Sequence, residues 1–303
     1  MGGWKLHAEV TGFADMVVDT DEEALAAIRK FLSYLPSHHK EAPPVVAVPE
    51  GSGDGMPDIL GLLPPRRTQV YDVRKIVRTI VDRDSFFELK PRFGKVVVTG
   101  LARLDGRTVG ILANNPLVKG GAMDTDACEK AASFVVLCDS FNIPLVLFVD
   151  TPGFLIGTTA ERNRAPGKIM NFMQALQLAT VPKISVILRK TYGQAYLNMG
   201  GGRNSDEVIA WPTAEIAVMG PEGAANIIFR SEIMAAENPD EMRKIKVKEY
   251  TDKFANPYVA ASSGYVDAVI TPEETRAAIA HALQLTRNKS EALPDRKHGV
   301  APF

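Results

Sequence analysis

Pro144-Leu145-Val146-Leu147-Phe148-Val149-Asp150, followed at once by Thr151-Pro152-Gly153-Phe154-Leu155-Ile156-Gly157, decides the fold class. The first seven residues are an unbroken apolar run closed by a carboxylate. The run has the length of a strand but not the apolar/polar alternation of a half-exposed one, so it belongs to a sheet covered on both faces. The Gly- and Pro-containing stretch behind it breaks both periodicities and sets a turn at the strand's carboxyl end, where ligands commonly bind in α/β sheets.

Outward from this stretch the pattern repeats. Lys183 to Leu188 is a second apolar run, reached through a helical segment from Pro166 to Ala179; Ala214 to Met219 is a third, and Val266 to Ile270 a shorter fourth. Upstream, Val96 to Arg103 and Thr108 to Ala113 are β-rich and joined across Leu104-Asp105-Gly106-Arg107, whose Asp-Gly pair is a strong hairpin signal. Asp124 and Thr125 offer an N-cap for a helix running to about Phe141. A last helix, Pro272 to Asn288, carries Ala278, Ile279, Ala282 and Leu283 at helical spacing and is expected to pack on the sheet. No G-x-G-x-x-G follows any strand. Repeated hairpin-plus-helix units therefore argue for an α/β spiral of ββα units over a dinucleotide-binding sheet.

The first part of the chain reads differently. Asp21 to Leu35 is helix-like, with Leu25, Ile28, Leu32 and Leu35 on one face, and ends at Pro36. Ala42 to Arg67 is dense in Pro and Gly and reads as an extended surface arm outside the core. Asp72 to Val81 regains helix spacing through Val73, Ile76, Val77 and Ile80 and docks that arm. The expected division is residues 1–90 for helix, arm and docking helix, and 91–303 for the α/β domain.

Composition narrows the function classes. The 303 residues are 46% hydrophobic and 23% charged, as in ordinary globular proteins, and a formal net charge of −1 gives no general attraction to nucleic acid or anionic membranes. Cys128 and Cys138, ten apart in an apolar helical stretch, fit neither a disulfide framework nor a metal site and are expected to be buried thiols. No apolar run is long enough for a membrane span, and Met1 to His7 lack the regions of a signal peptide, so a cytoplasmic location, or the mitochondrial matrix, is expected.

Two stretches carry chemistry. Asp150 to Gly157 presents main-chain N–H groups at a sheet edge, and Arg189-Lys190-Thr191-Tyr192-Gly193-Gln194-Ala195-Tyr196 opens a short helix directly after a buried strand, where free N–H groups stabilise a developing negative oxygen. By spacing alone, the first also reads as an ordinary strand-to-helix turn and the second as a helix start with small residues for close packing. No P-loop, nucleophile elbow, HExxH or Cys/His cluster occurs, so neither a hydrolase nor a metal site finds support. Gly200-Gly201-Gly202-Arg203 reads as a flexible turn, and the basic run Arg243 to Lys248 as a solvated face.

At this point a resemblance becomes specific. Pro57-Asp58-Ile59-Leu60, Tyr71-Asp72-Val73-Arg74, Ala102-Arg103-Leu104-Asp105-Gly106, Asp139 to Pro144, Asp150 to Phe154, Ala210-Trp211-Pro212-Thr213-Ala214-Glu215, Ala255-Asn256-Pro257-Tyr258, Gly264 to Asp267 and Arg296-Lys297-His298-Gly299 occur in that order. In them the chain resembles the C-terminal half of the carboxyltransferase β subunits of acyl-CoA carboxylases, propionyl-CoA carboxylase type, and of the related transcarboxylase. The opening through Asp15 resembles the junction between that family's two halves.

The resemblance implies a crotonase-like fold and transfer of a carboxyl group from carboxybiotin to the α-carbon of an acyl-CoA. It implies biotin on a separate carrier, a biotin carboxylase subunit, an N-terminal carboxyltransferase half, self-association, and inactivity without that half. The cofactor supplies the base, so the protein's task is to stabilise oxyanions with preorganised N–H groups. That role is carried onto Gly193, Gln194 and Ala195, with Gly153, Phe154, Gly157 and Tyr196 around the cofactor and Leu197 in the acyl pocket. Gln194 stands where the family usually has Gly, and the apolar Leu197 does not name the acyl chain. The same half also occurs in biotin-dependent decarboxylases, and a non-catalytic scaffold is a further reading. A stand-alone hydratase is disfavoured because no pair of glutamates flanks either turn.

Overall fold

The computed structural model describes residues 2–295, so the Arg296-Lys297-His298-Gly299 match lies outside the described residues. One sheet organises the chain. Its strands are β1 (Phe87–Leu89), β2 (Val97–Leu104), β3 (Arg107–Asn114), β4 (Leu145–Thr151), β5 (Lys183–Tyr192), β6 (Glu207–Ala210), β7 (Glu215–Ala217) and β8 (Ala268–Val269). They lie in the order β1-β2-β3-β4-β5-β6-β8, with β7 also pairing β5. β1 to β3 are antiparallel and every later pairing is parallel. The predicted hairpin is present: Leu104 pairs Arg107, and Asp105 (φ 51°) and Gly106 (φ 75°) both take the left-handed conformation that a two-residue turn of this kind requires. A Cβ on Gly106 would lie 2.0 Å from the Val46 carbonyl oxygen, so the glycine also admits the arm.

The helices are α1 (Asp21–Leu32), α2 (Val73–Ile80), α3 (Thr125–Ser140), α4 (Thr158–Arg162), α5 (Ala165–Leu178), α6 (Gly193–Asn198), α7 (Pro221–Ile228), α8 (Arg230–Ala235), α9 (Pro239–Phe254), α10 (Pro257–Ser262) and α11 (Thr275–Leu285). Side-chain alternation along β4 divides two cores. Leu145, Leu147 and Val149 pack with Phe134 of α3 and Leu176 of α5, while Val146 and Phe148 pack on the opposite face with Ile76 of α2 and Ile279 of α11. Both faces are covered, which is why the run shows no polar position from 144 to 149.

Local chemistry explains several boundaries. Asp124 caps α3 by accepting from the Ala127 N–H at 2.9 Å, and Thr20 with Glu23 forms a capping box on α1. All four spaced apolar residues of α2 are buried. Other expectations are corrected. α1 stops at Leu32, and Leu25, Ile28 and Leu32 stay more than half exposed, because this helix lies at the edge of the core. The arm is not wholly superficial: a 3-10 turn over Met56–Leu62 sends Met56, Ile59 and Leu63 into the second core. Three-residue apolar spacing is masked there by flanking glycines and prolines. The run at 214–219 supplies only the three half-buried residues of β7, and the short β1 and β6 were not anticipated.

The two cysteines are buried free thiols; burial pushes Cys128 up to about 12 and also drives Cys138 well above its ordinary range, so both are protonated at neutral pH. The basic run on α9 is largely ion-paired, through Arg243 with Asp240, Lys246 with Glu232 and Glu249, and Lys248 with Asp252. No helix among the described residues is long and apolar enough to cross a membrane.

Lys130 of α3 is only 1% exposed, and its ammonium donates to the carbonyls of Lys90 (2.8 Å), Phe93 (3.0 Å) and Val97 (2.9 Å), tying α3 to the chain entering β2. Burial lowers its pKa from 10.5 to about 7. The unfolded chain then holds more protons than the folded one between about pH 7 and 10.5, so this residue's contribution makes stability rise with pH across that window. Denaturant titrations are expected to show a slope of about 1 kcal/mol per pH unit from this residue that Lys130→Met abolishes. An unchanged slope in the variant would contradict this account of Lys130.

Candidate active site

β4 and β5 run parallel and side by side, so the turns that follow them leave the sheet together at its carboxyl edge. Their register breaks there: Val149 pairs Ile187 but Thr151 pairs Thr191, leaving Leu188, Arg189 and Lys190 opposite Asp150 alone. This bulge lies directly before both predicted constellations, as bulges near functional edges often do.

The turn after β5 is built by Gly193. Its φ of 59° favours glycine, and an added Cβ would lie 3.0 Å from the Val218 carbonyl oxygen. α6 begins at this residue without a side-chain cap. Among the described residues no acceptor takes the amide N–H of Gln194 or Ala195, the orphan donors of a helix first turn. Ala195 is fully buried, whereas Gln194 is exposed and its amide Nε2 donates to Asn198 Oδ1 at 3.0 Å. Asn198 in turn donates to the Ile169 carbonyl at 2.9 Å, which fixes α6 on α5. The Gln194 side chain thus lies along the helix and away from its own backbone N–H.

The loop after β4 is anchored from beneath. The Thr151 hydroxyl donates to the Gly121 carbonyl at 2.8 Å, and Met123 and the loop exchange Met123 N–H to Gly153 O (3.0 Å) and Leu155 N–H to Met123 O (2.8 Å). Gly153 has φ 133° and open space where a Cβ would stand. Phe154 packs on the same core that holds Ala195 and Tyr196, while Ile156 is 91% exposed. The sequence-predicted residues separate accordingly. Gly153, Phe154, Gly193, Gln194 and Ala195 share the edge; Gly157 starts α4. The Tyr196 side chain turns inward, its hydroxyl 3.5 Å from the Tyr265 carbonyl, and Leu197 is half-buried against Gly202.

Sequence reasoning assigned no role to the charged cluster beneath these turns. The Asp150 carboxylate is fully buried and accepts from Tyr71 OH (3.0 Å) and Arg189 Nε (2.9 Å) on Oδ2, and from Lys190 N–H (3.2 Å) on Oδ1, with Lys190 Nζ 3.1 Å from Oδ1. Arg189 Nη2 donates to the Gln69 carbonyl at 2.9 Å, so the arm is held as well. Burial lowers the Lys190 pKa and the Asp150 charge opposes that shift; Tyr71 is driven well above its ordinary range by burial and then by Asp150. Beside them Tyr192 OH donates to Glu215, which also pairs with Arg67 at 3.1 Å. The available signal was a charge closing each buried run, Asp150 on one and Arg189-Lys190 on the other.

The arrangement offers paired, unengaged main-chain donors, a glycine loop and a buried ionic base, and the described residues hold no group of three or more His, Cys, Asp or Glu able to bind a metal. A family model described as carboxyl transferase domain matches residues 1–301. The chain belongs to the carboxyl transferase domain family. This carboxyl transferase domain is 44% identical over its whole length to a propionyl-CoA carboxylase carboxyltransferase subunit of Haloferax mediterranei, of which it covers 59%. It is 41% identical, again over its whole length, to the methylmalonyl-CoA decarboxylase subunit alpha of Propionigenium modestum, covering 59% of it. Among solved structures, transcarboxylase 12S, described as a hexamer with methylmalonyl-coenzyme A and methylmalonic acid bound, matches with TM-score 0.93 and 43% identity over all of this chain and 58% of its own. The domain therefore has the crotonase-like fold of these subunits and spans somewhat more than half their length.

Proposed function

We propose that this chain is the carboxybiotin-binding half of an acyl-CoA carboxyltransferase and works together with a partner half that binds most of the acyl-CoA. The observation that carries the reading is the pair of unengaged N–H groups of Gln194 and Ala195 on a glycine-built turn, beside a glycine loop with open space at Gly153. Biotin, when bound, supplies the carboxyl group and the base. The residues fit that division of labour, since the edge offers directed donors while the described charged side chains beneath it, Asp150, Arg189, Lys190 and Glu215, are engaged with one another or with the arm. The two N–H groups would hold the ureido oxygen and stabilise negative charge on it, and the Gly153-Phe154 loop would limit the other side of the pocket. The exposed Gln194 side chain narrows the mouth without occupying the donors.

Completion by another chain is supported by exposed apolar residues at Val218 and on α7 and α8, the helices that follow it in the chain. Val218, whose carbonyl borders Gly193, is 81% exposed, and Ile227, Ile228 and Met234 are 67%, 58% and 71% exposed. Exposed apolar side chains grouped on one segment of the chain fit a surface that another chain covers. We assign it to the N-terminal carboxyltransferase half of a second subunit, in a self-associated assembly served by a biotin carrier and a biotin carboxylase subunit. The 41% identity to a decarboxylase subunit supports the reverse direction of transfer at the same site as the second reading.

The test is free biotin titrated into the chain assembled with its N-terminal half, with amide nitrogens labelled. Saturable shifts of the Gln194 and Ala195 amide resonances are expected. Saturable shifts confined to other residues, or no saturable shift, would overturn the assignment.

A further inference from the structure

We propose that Asp150 is a positioning residue: its buried carboxylate fixes the turn after β4 and the turn after β5 in one geometry and locks the 66–71 arm onto both. The proposal rests on the reading of Gly193 to Ala195 as the oxyanion turn. It starts from the register break, where one residue of β4 faces three of β5. A bulge of this size leaves ladder groups unpaired and the strand ends free to shift. Asp150 fills it. Its carboxylate binds a backbone N–H and a side chain from Lys190 and the guanidinium of Arg189, so both β5 residues before the turn are referenced to β4. Tyr71, also bound to Asp150, stacks under Arg189 at 5.1 Å. The remaining donors of the two cations reach outward to the carbonyls of Arg66 (3.3 Å), Arg67 (3.3 Å) and Gln69 (2.9 Å). The main-chain N–H of Asp150 is itself held by Asn114 Oδ1 at 3.3 Å, and a Cβ on Gly121 would meet the Asp150 carbonyl oxygen at 2.4 Å.

The position in sequence gives this cluster its reach. Asp150 is three residues from Gly153, and Lys190 three from Gly193. A shift of the strand ends is therefore transmitted to the loop and to the donors within one short segment each. Removing the carboxylate leaves Arg189 and Lys190 buried side by side, with Glu215 opposite Lys190 as a remaining negative charge, and the two cations are expected to part, carrying the Gly193 turn with them.

The test uses the full chain and hydrogen exchange, which needs no activity. In Asp150→Asn, exchange in peptides covering 152–157 and 192–198 is expected to accelerate at least about tenfold, with α11 changing less than about twofold. Tyr71→Phe, which keeps all charges and the fold, is expected to show the same regional pattern at about threefold. In the chain assembled with its N-terminal half, Tyr71→Phe should lower kcat by about tenfold while KM for the acyl-CoA stays within about twofold, the split expected when donors are misplaced and binding is not. Acceleration spread evenly over the chain, or none in either segment, overturns the positioning role. Local acceleration with unchanged kcat leaves the coupling intact but overturns its place in the reaction, and so fails with the oxyanion reading.

Discussion

Ala195→Pro is expected to abolish carboxyl transfer by the assembled enzyme, with a fall of at least about a hundredfold in kcat, the size seen when one preorganised oxyanion donor is removed. The substitution deletes one N–H and no side-chain function, because Ala195 contributes a buried methyl and its amide has no acceptor among the described residues. Proline is tolerated in the first turn of a helix, where the N–H is not needed for the ladder, so α6 should survive. Gln194→Pro applies the same deletion at an exposed position and separates the lost donor from any crowding of the core. Both variants are checked by thermal unfolding beside turnover. Full turnover in a folded Gln194→Pro and Ala195→Pro pair would remove the turn from the mechanism.

Trp211→Ala is expected to be the most destabilising single change. Trp211 follows β6, is fully buried in the core shared by α2 and α11, and donates its indole N–H to Thr275 Oγ1 at 2.8 Å. Its own N–H closes onto the Ile187 carbonyl at 2.9 Å, continuing the ladder toward the active edge. Truncation of a buried tryptophan costs about 3 to 5 kcal/mol through lost burial and the cavity left behind. A chain of this size should then lose roughly 10 °C of Tm. Trp211→Phe keeps an aromatic ring in the core but loses the N–H and part of the indole volume, so it should fall by roughly half as much. Equal losses in the two variants would assign the stability to the hydrogen bond and not to the packing.

Much of the architecture was legible because burial on two faces leaves a plain trace. The run at 144–150 admitted no polar residue until its end, and the Asp105-Gly106 pair allowed little besides a tight hairpin. Around Met56, Ile59 and Leu63 the arm carries no such trace, since three apolar residues among glycines and prolines produce no periodic signal over a usable window. β1 and β6 escaped for the same reason of length. At the carboxyl edge of the sheet the glycines mark the turns, but the Asp150 cluster is invisible as a cluster. Its members come from positions 71, 150, 189 and 190, and only the fold brings them together.

The central claim is that this domain supplies one half of a divided carboxyltransferase site. It is tested most directly by carboxyl transfer from methylmalonyl-CoA or malonyl-CoA to free biotin, measured for the chain alone and for the chain assembled with its N-terminal half. Transfer is expected only in the assembly. Transfer by the chain alone, or none in a mixture shown to have assembled, would contradict it.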